Sequence, residues 1–203
     1  SYQKSSSECS KIFRKYNMTF NEALEQLKQT SPLRITVSGD IGSGKSTFAK
    51  HLAEELEIPR IYIGQFMREE ALKRGITLEE FGKLQEEDDS IDREMDAMQK
   101  DASKKTDRGV FEGRTAWHFV EQPTVRIFLS VDPEIGAQRV FSDKKNSLRD
   151  KYNSLEEVKK RNTSRKASEK KRYWNYYQID AYDHKNFDVV VDTSDIDIDN
   201  VFK

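Results

Sequence analysis

Residues Gly39-Asp40-Ile41-Gly42-Ser43-Gly44-Lys45-Ser46 read G-x-x-x-x-G-K-S and follow directly on the apolar run Leu33-Arg34-Ile35-Thr36-Val37. A strand that breaks into a glycine-rich turn and then a helix is the setting of a phosphate-binding loop. The glycines let successive backbone N–H groups turn inward on a polyphosphate, where a Cβ would obstruct them. Lys45 can reach the β- and γ-phosphates, and the Ser46 hydroxyl is a ligand for Mg²⁺. Thr47 carries the loop into a helix running from Lys45 to about Leu56, whose positive dipole end faces the anion. The segment Gly39 to Thr47 is therefore expected to bind a nucleoside triphosphate.

Strand and helix signals alternate through the rest of the chain. Strands are expected at 33–38, 60–63, 109–112, 124–131 and 187–192, and helices at 45–56, 65–74, 78–87, 89–104, 133–144 and 154–177. Five short apolar strands separated by helices imply an α/β, three-layer P-loop fold: a five-stranded parallel sheet with helices on both faces. Thr19-Phe20-Asn21-Glu22 reads as a capping box, and Phe20, Ala23, Leu24 and Leu27 follow at helical spacing before Ser31-Pro32. Residues 1–18 are aperiodic and read as a tail. The expected division is thus an extension over 1–32, tail plus short helix, and one P-loop domain over 33–203.

Lys and Arg total 35 against 36 Asp and Glu, so no global field points to nucleic acid or a membrane surface. No apolar stretch approaches the roughly 20 residues that span a bilayer. Cys9 is the only cysteine, which excludes an internal disulfide and suits a reducing cytoplasm. His51, His118 and His184 lack metal-ligand spacing. A guanine-reading Asn-Lys-x-Asp motif does not occur, which argues against a GTP switch.

The strand Val110-Phe111 ends in Glu112-Gly113-Arg114. At the carboxyl edge of an open sheet, where ligands bind, Glu112 can hold Mg²⁺ through its waters and Arg114 can fork onto a phosphate. From these three residues alone, a strand-ending turn with a solvated salt bridge is the competing reading. Arg68 opens the helix after the second strand and falls at the same edge. Arg161, Arg165 and Arg172 stand at i, i+4 and i+11, on one helix face. That face is expected to carry no opposing acid at i+4, the pattern a phosphate-closing lid requires.

With these residues in place, the chain resembles the short archaeal type of cytidylate (CMP/dCMP) kinase, within the nucleoside monophosphate kinases. The resemblance runs from about Leu33 to Ser194. It takes in the phosphate loop, Gly64 to Arg68, Gly75 to Phe81 with its Leu78-Glu79-Glu80-Phe81, Glu86 to Asp92, Glu112-Gly113-Arg114, Arg172-Tyr173, Tyr177 to Asp180, and Asp188 to Ser194. Gln178 stands where relatives usually carry glycine, and Lys144-Lys145-Asn146 replaces an arginine-rich lid entrance.

The resemblance implies reversible transfer of the ATP γ-phosphoryl group to CMP or dCMP with Mg²⁺, a monophosphate-binding region over about 64–108 and a helical lid over about 145–172. Within that scheme Lys45 and the loop amides hold the donor, while Ser46 and Glu112 organise the metal. Arg68 and Arg114 fix the monophosphate, and Arg161, Arg165 and Arg172 close from above. Arg139 stacks on adenine. Asp88 and Asp92 are candidates to accept from the cytosine amino group or from a lid residue, with plain helix solvation as the alternative. The expected partners are small molecules alone, without nucleic acid or membrane, and the expected unit is a cytoplasmic monomer. A kinase of UMP, AMP or another small substrate would keep Lys45, Ser46 and Glu112 and use 64–108 differently.

Overall fold

The apolar run before the phosphate loop forms strand β1 (Leu33–Gly39), with every residue buried except Arg34, which is partly so. A strand covered on both faces belongs in the middle of a parallel sheet. The structure, a computed structural model, describes residues 19–143 and 152–196. Helix α1 (Phe20–Gln29) precedes β1. After it come α2 (Lys45–Leu56), β2 (Arg60–Tyr62), α3 (Ile63–Lys73), α4 (Leu78–Glu87), α5 (Ser90–Lys105) and β3 (Arg108–Glu112). The short α6 (Ala116–Phe119), β4 (Val125–Ser130), α7 (Pro133–Ser142), α8 (Leu155–Tyr177), a 3₁₀ turn (His184–Asn186) and β5 (Val189–Asp192) complete the described chain.

The five strands are all parallel, in the order β2-β3-β1-β4-β5. From β1 the chain goes to one edge, returns through β3, then crosses to β4, so the strand order reverses at β1. The crevice at the carboxyl ends beside such a reversal is where open α/β sheets take ligands. Register fixes what meets there, because Val37 pairs with Glu112 and Glu112 with Tyr62. The acid that ends β3 is thereby level with the exit of β1.

Helices cover both faces. On one, Ala49, Leu52, Ala53 and Leu56 of α2 pack on Leu33, Ile35, Val37 and Val110. On the other, Phe128 packs with Tyr173 of α8 and with Ala181, Tyr182 and Phe187. Each large side chain so buried contributes about 2 kcal/mol. Helix α1 begins at the expected capping box, with Thr19 N donating to Glu22 at 2.6 Å. Its Leu24 packs against the α2 core, and Lys28 reaches Glu57 at 3.1 Å.

The differences from expectation have local causes. Helix α3 starts at Ile63, two residues before the expected 65, and takes in Gly64. Helix α6 and the 3₁₀ turn are too short to show a period. Strand β5 starts late because Phe187 turns into the core and Asp188 grips Arg126, accepting from its Nη2 and its backbone N at 2.9 Å each. Gln178 takes the left-handed conformation expected of glycine, φ +58°, and its N–H bonds to Trp174 O at 3.0 Å. The tail, the lid entrance Lys144-Lys145-Asn146 and the first expected lid residues lie outside the described residues.

Candidate functional site

The loop after β1 is shaped by backbone conformations that side chains disfavour. Gly42 and Gly44 have φ of +84° and +82°. A Cβ on Gly42 would lie 2.2 Å from the Gly136 carbonyl of α7. The loop is therefore pressed against α7 and turned toward the sheet edge, where Asp40 to Thr47 line one cavity. Gly39 lies at its root, with its carbonyl accepting from Arg114.

Lys45, Ser46 and Glu112 converge at the mouth of that loop. Lys45 Nζ lies 3.3 Å from Glu112 Oε1, and Ser46 Oγ donates to the same oxygen at 2.6 Å. Glu112 is fully buried, and its other oxygen accepts from Arg60 Nε at 3.0 Å. Burial would raise the Glu112 carboxyl, but Lys45 and Arg60 outweigh it and hold the group ionised, below its ordinary range. Burial pushes the Lys45 ammonium down to about 8; Glu112 opposes that shift, while Arg114 and Arg68 add to it. Arg60 escaped the sequence reading. Its one signal is a charged residue opening a strand that enters the sheet beside an acid.

Five of the expected arginines line the same cavity: Arg68, Arg114, Arg139, Arg161 and Arg165. Arg68 is held by the Tyr62 hydroxyl and by Gly64 O, the latter at 3.0 Å. Arg161 pairs with Glu157 at 3.3 Å, one turn back on α8. Arg114 and Arg165 share a carboxylate that sequence reasoning missed. Glu169 accepts from Arg114 Nε at 2.9 Å and from Arg165 Nε at 2.8 Å, and the Tyr182 hydroxyl donates to it as well. Burial alone would neutralise Glu169, but the two guanidinium groups hold it far below the usual carboxylate range. The expectation of a face without opposing acids is thus corrected. Glu169 stands four residues after Arg165 and was visible at that spacing.

Arg172 departs from its expected role. It is buried, 2% exposed, and donates to Asp92 of α5, itself 2% exposed. The other Asp92 oxygen accepts from Gln85 Nε2 at 3.0 Å. Arg172 therefore points into the packing between α8 and α5 instead of over the loop, because an acid waits there and no solvent does. Asp92 borders the cavity, and each of its oxygens accepts from a protein donor, one of them on the expected lid helix. Asp88 is exposed beyond the end of α4 and accepts from Ser90 N at 2.9 Å, away from the cavity. Arg139 does border the cavity. Its edges donate to Thr193 Oγ1 at 3.2 Å, and to Thr193 O and Ile196 O at 2.6 Å each.

No helix among the described residues is long and apolar enough to cross a membrane. Comparison with known proteins adds sequence relatives to this geometry. The family model of the cytidylate kinase-like family matches residues 34–195. The cytidylate kinase of Archaeoglobus fulgidus is 34% identical over 169 residues, covering 83% of this chain and 90% of that protein. That of Methanosphaerula palustris is 38% identical over 161 residues, covering 79% and 88% respectively. Among solved structures, a shikimate kinase from Bacteroides thetaiotaomicron superposes with a TM-score of 0.51 at 15% identity, covering 78% of this chain and 85% of that one. At that identity the likeness extends to the fold alone.

Proposed function

This chain belongs to the cytidylate kinase-like family, and on that premise we propose that it transfers the γ-phosphoryl group of ATP to CMP or dCMP, giving ADP and CDP or dCDP. The observation that carries this reading is the convergence of Lys45, Ser46 and buried Glu112 at the loop, facing Arg114 and Arg165 held on one carboxylate. Phosphoryl transfer asks a protein for positioning and charge stabilisation more than for covalent chemistry. The loop amides and Lys45 hold the donor phosphates. Arg68 and Arg114 grip the monophosphate, since a guanidinium binds phosphate oxygens in pairs. Arg161 and Arg165 approach from α8, stabilise the transferring group and exclude water that would hydrolyse ATP. Arg139 offers its face to adenine.

Ser46 Oγ and Glu112 Oε1, 2.6 Å apart, are the hard oxygen donors that Mg²⁺ prefers, so the residues fit the metal. These two would hold it, directly or through water, with phosphate oxygens completing the shell. The ion would supply positive charge that offsets the negative charge developing on the transferring phosphoryl group. The enzyme so described works as a cytoplasmic monomer on small molecules and not on nucleic acid.

An ADP-release assay across CMP, dCMP, UMP, AMP and GMP tests this reading. CMP or dCMP should exceed AMP and GMP at least about tenfold in kcat/KM, because a site paired to the cytosine edge leaves buried polar groups unmatched by a purine. Equal use of AMP overturns it. Lys45→Met should cut turnover by about 10²–10³-fold, the cost of removing a charge partner of the transition state. Activity within tenfold of the parent sinks the role given to the loop lysine.

A further inference from the structure

Beyond the phosphate loop, the cavity has a polar wall made by α5 and by Thr115, the residue before α6. Asp96 is 5% exposed, Gln99 2% and Thr115 4%, and all three line the cavity. Gln99 Nε2 donates to Asp96 Oδ1 at 3.0 Å and to Thr115 Oγ1 at 3.1 Å. The Thr115 hydroxyl in turn donates to Asp96 Oδ1 at 2.8 Å. With Asp96 ionised, these three bonds admit one proton order. The Thr115 proton lies on Asp96, so its oxygen must accept from Gln99. Turning the Gln99 amide over would set its oxygen against a carboxylate oxygen and a hydroxyl oxygen already facing it as acceptors.

Gln99 Oε1 is thereby locked on the opposite side, beside Gly113 at the cavity edge, 3.0 Å from where a Cβ on that glycine would stand. No donor among the described residues reaches this oxygen, although it is buried. A buried acceptor left unmatched costs about 1–3 kcal/mol. A ligand donor removes that cost, and a ligand acceptor adds repulsion to it.

We infer that Gln99, locked by Asp96 and Thr115, is the residue that distinguishes an amino pyrimidine from an oxo pyrimidine, its Oε1 accepting from the exocyclic 4-amino group. Cytosine presents N–H at that position, whereas uracil presents a carbonyl oxygen. This inference rests on the cytidylate kinase reading above and names the device by which CMP is chosen over UMP. Asp96 and Thr115 act through Gln99 and are positioning residues.

The same lock supplies the test. Asp96→Asn keeps the shape but offers a donor, so the Gln99 amide can turn over and present Nε2 to a uracil oxygen. With the full-length protein, kcat/KM is measured for CMP, UMP and dCMP in the parent, Asp96→Asn and Gln99→Leu, with the unfolding midpoint of each. The parent should prefer CMP over UMP by about 10²-fold or more. Asp96→Asn should shrink that ratio at least about tenfold by raising UMP use, and Gln99→Leu should shrink it by lowering CMP use alone. The unaltered protein gives a reading independent of any variant. The monophosphate of pyrimidin-2-one riboside, which lacks the amino group, should fall at least about tenfold below CMP. A parent that uses UMP as well as CMP, an undiminished rate with the pyrimidinone, or folded variants with the parental ratio overturns the inference. So does a CMP-to-dCMP ratio that moves while CMP-to-UMP stays, which would put a ribose hydroxyl on Gln99. A parent that phosphorylates neither pyrimidine but accepts another monophosphate overturns instead the reading of the enzyme.

Discussion

Arg165 and Arg172 stand seven residues apart on α8, two turns of one helix, and the molecule uses them in opposite ways. The Arg165 side chain is 30% exposed, borders the cavity and holds Glu169 through Nε at 2.8 Å. Its terminal nitrogens have no hydrogen bond to the described residues. Arg172 is shut between α8 and α5 with Asp92. Residue type and helix face are similar, so the difference lies in what stands opposite. Glu169 is shared with Arg114 at the sheet edge, which holds two guanidinium groups together at the cavity. Asp92 is shared with Gln85, which ties two helices together. A helix can thus be a reaction wall at one end and a structural strut at the other.

The largest expected effect sharpens this contrast on the strut side. Arg172→Ala leaves Asp92 buried without its cation, and breaking such a pair costs about 3–5 kcal/mol. Chemical denaturation should show that loss, while kcat per folded molecule stays within about threefold of the parent. A variant that keeps its midpoint and loses turnover would make both ends of α8 catalytic.

Arg165→Ala should do the reverse. Losing one charge partner of the transition state costs about 10²-fold in kcat, near 2.7 kcal/mol. The unfolding midpoint should fall less than in Arg172→Ala, because Glu169 keeps Arg114 and Tyr182, and ATP affinity should change less than kcat. Parental turnover would remove the wall assignment.

The α5 wall of the cavity carries a titration signature of its own. Burial pushes Asp96 from an ordinary 3.8 up to about 6, with Tyr177 and Thr115 pulling the other way. Between those two values the unfolded chain has released the proton and the folded chain retains it. Stability from this group therefore falls as pH rises through that window and is level above it. From pH 4.5 to 6 the fall should be about 1.5 kcal/mol, below the full 1.36 kcal/mol per unit because the folded group is half ionised at pH 6. Measuring stability across that range in the parent and in Asp96→Asn checks it, since the variant should lose the slope. A slope shared by both proteins would assign it to another group.

The smallest effect lies between the two ends. Lys166 reaches Asp40 of the phosphate loop at 2.8 Å, with side chains 42% and 16% exposed. A pair this open to solvent contributes at most about 1 kcal/mol. Lys166→Ala should shift the midpoint and the KM for ATP only slightly. A loss matching that of Arg165→Ala would mean that α8 is held over the loop by this contact.

Sequence alone determined the parts whose cause is local. A glycine-rich turn between an apolar strand and a helix admits one chemistry, and Gly42 and Gly44 indeed adopt the backbone that such a turn needs. Alternating short apolar strands and amphipathic helices forced a parallel sheet, and Glu112 at a strand end fell beside Lys45 because register leaves it nowhere else. Spacing along α8 put Arg161 and Arg165 on one face, and both border the cavity, since a period is a property of a single helix. Tertiary structure decided everything that depends on a partner from elsewhere in the chain. Arg60 joined Glu112 from 52 residues away, Glu169 collected Arg114 from 55 away, and Arg172 met Asp92 from 80 away. The acceptor on Gln99 was set by a threonine 16 residues on. A charge pattern says that a side chain needs a counter-charge, but burial and packing choose which one it finds.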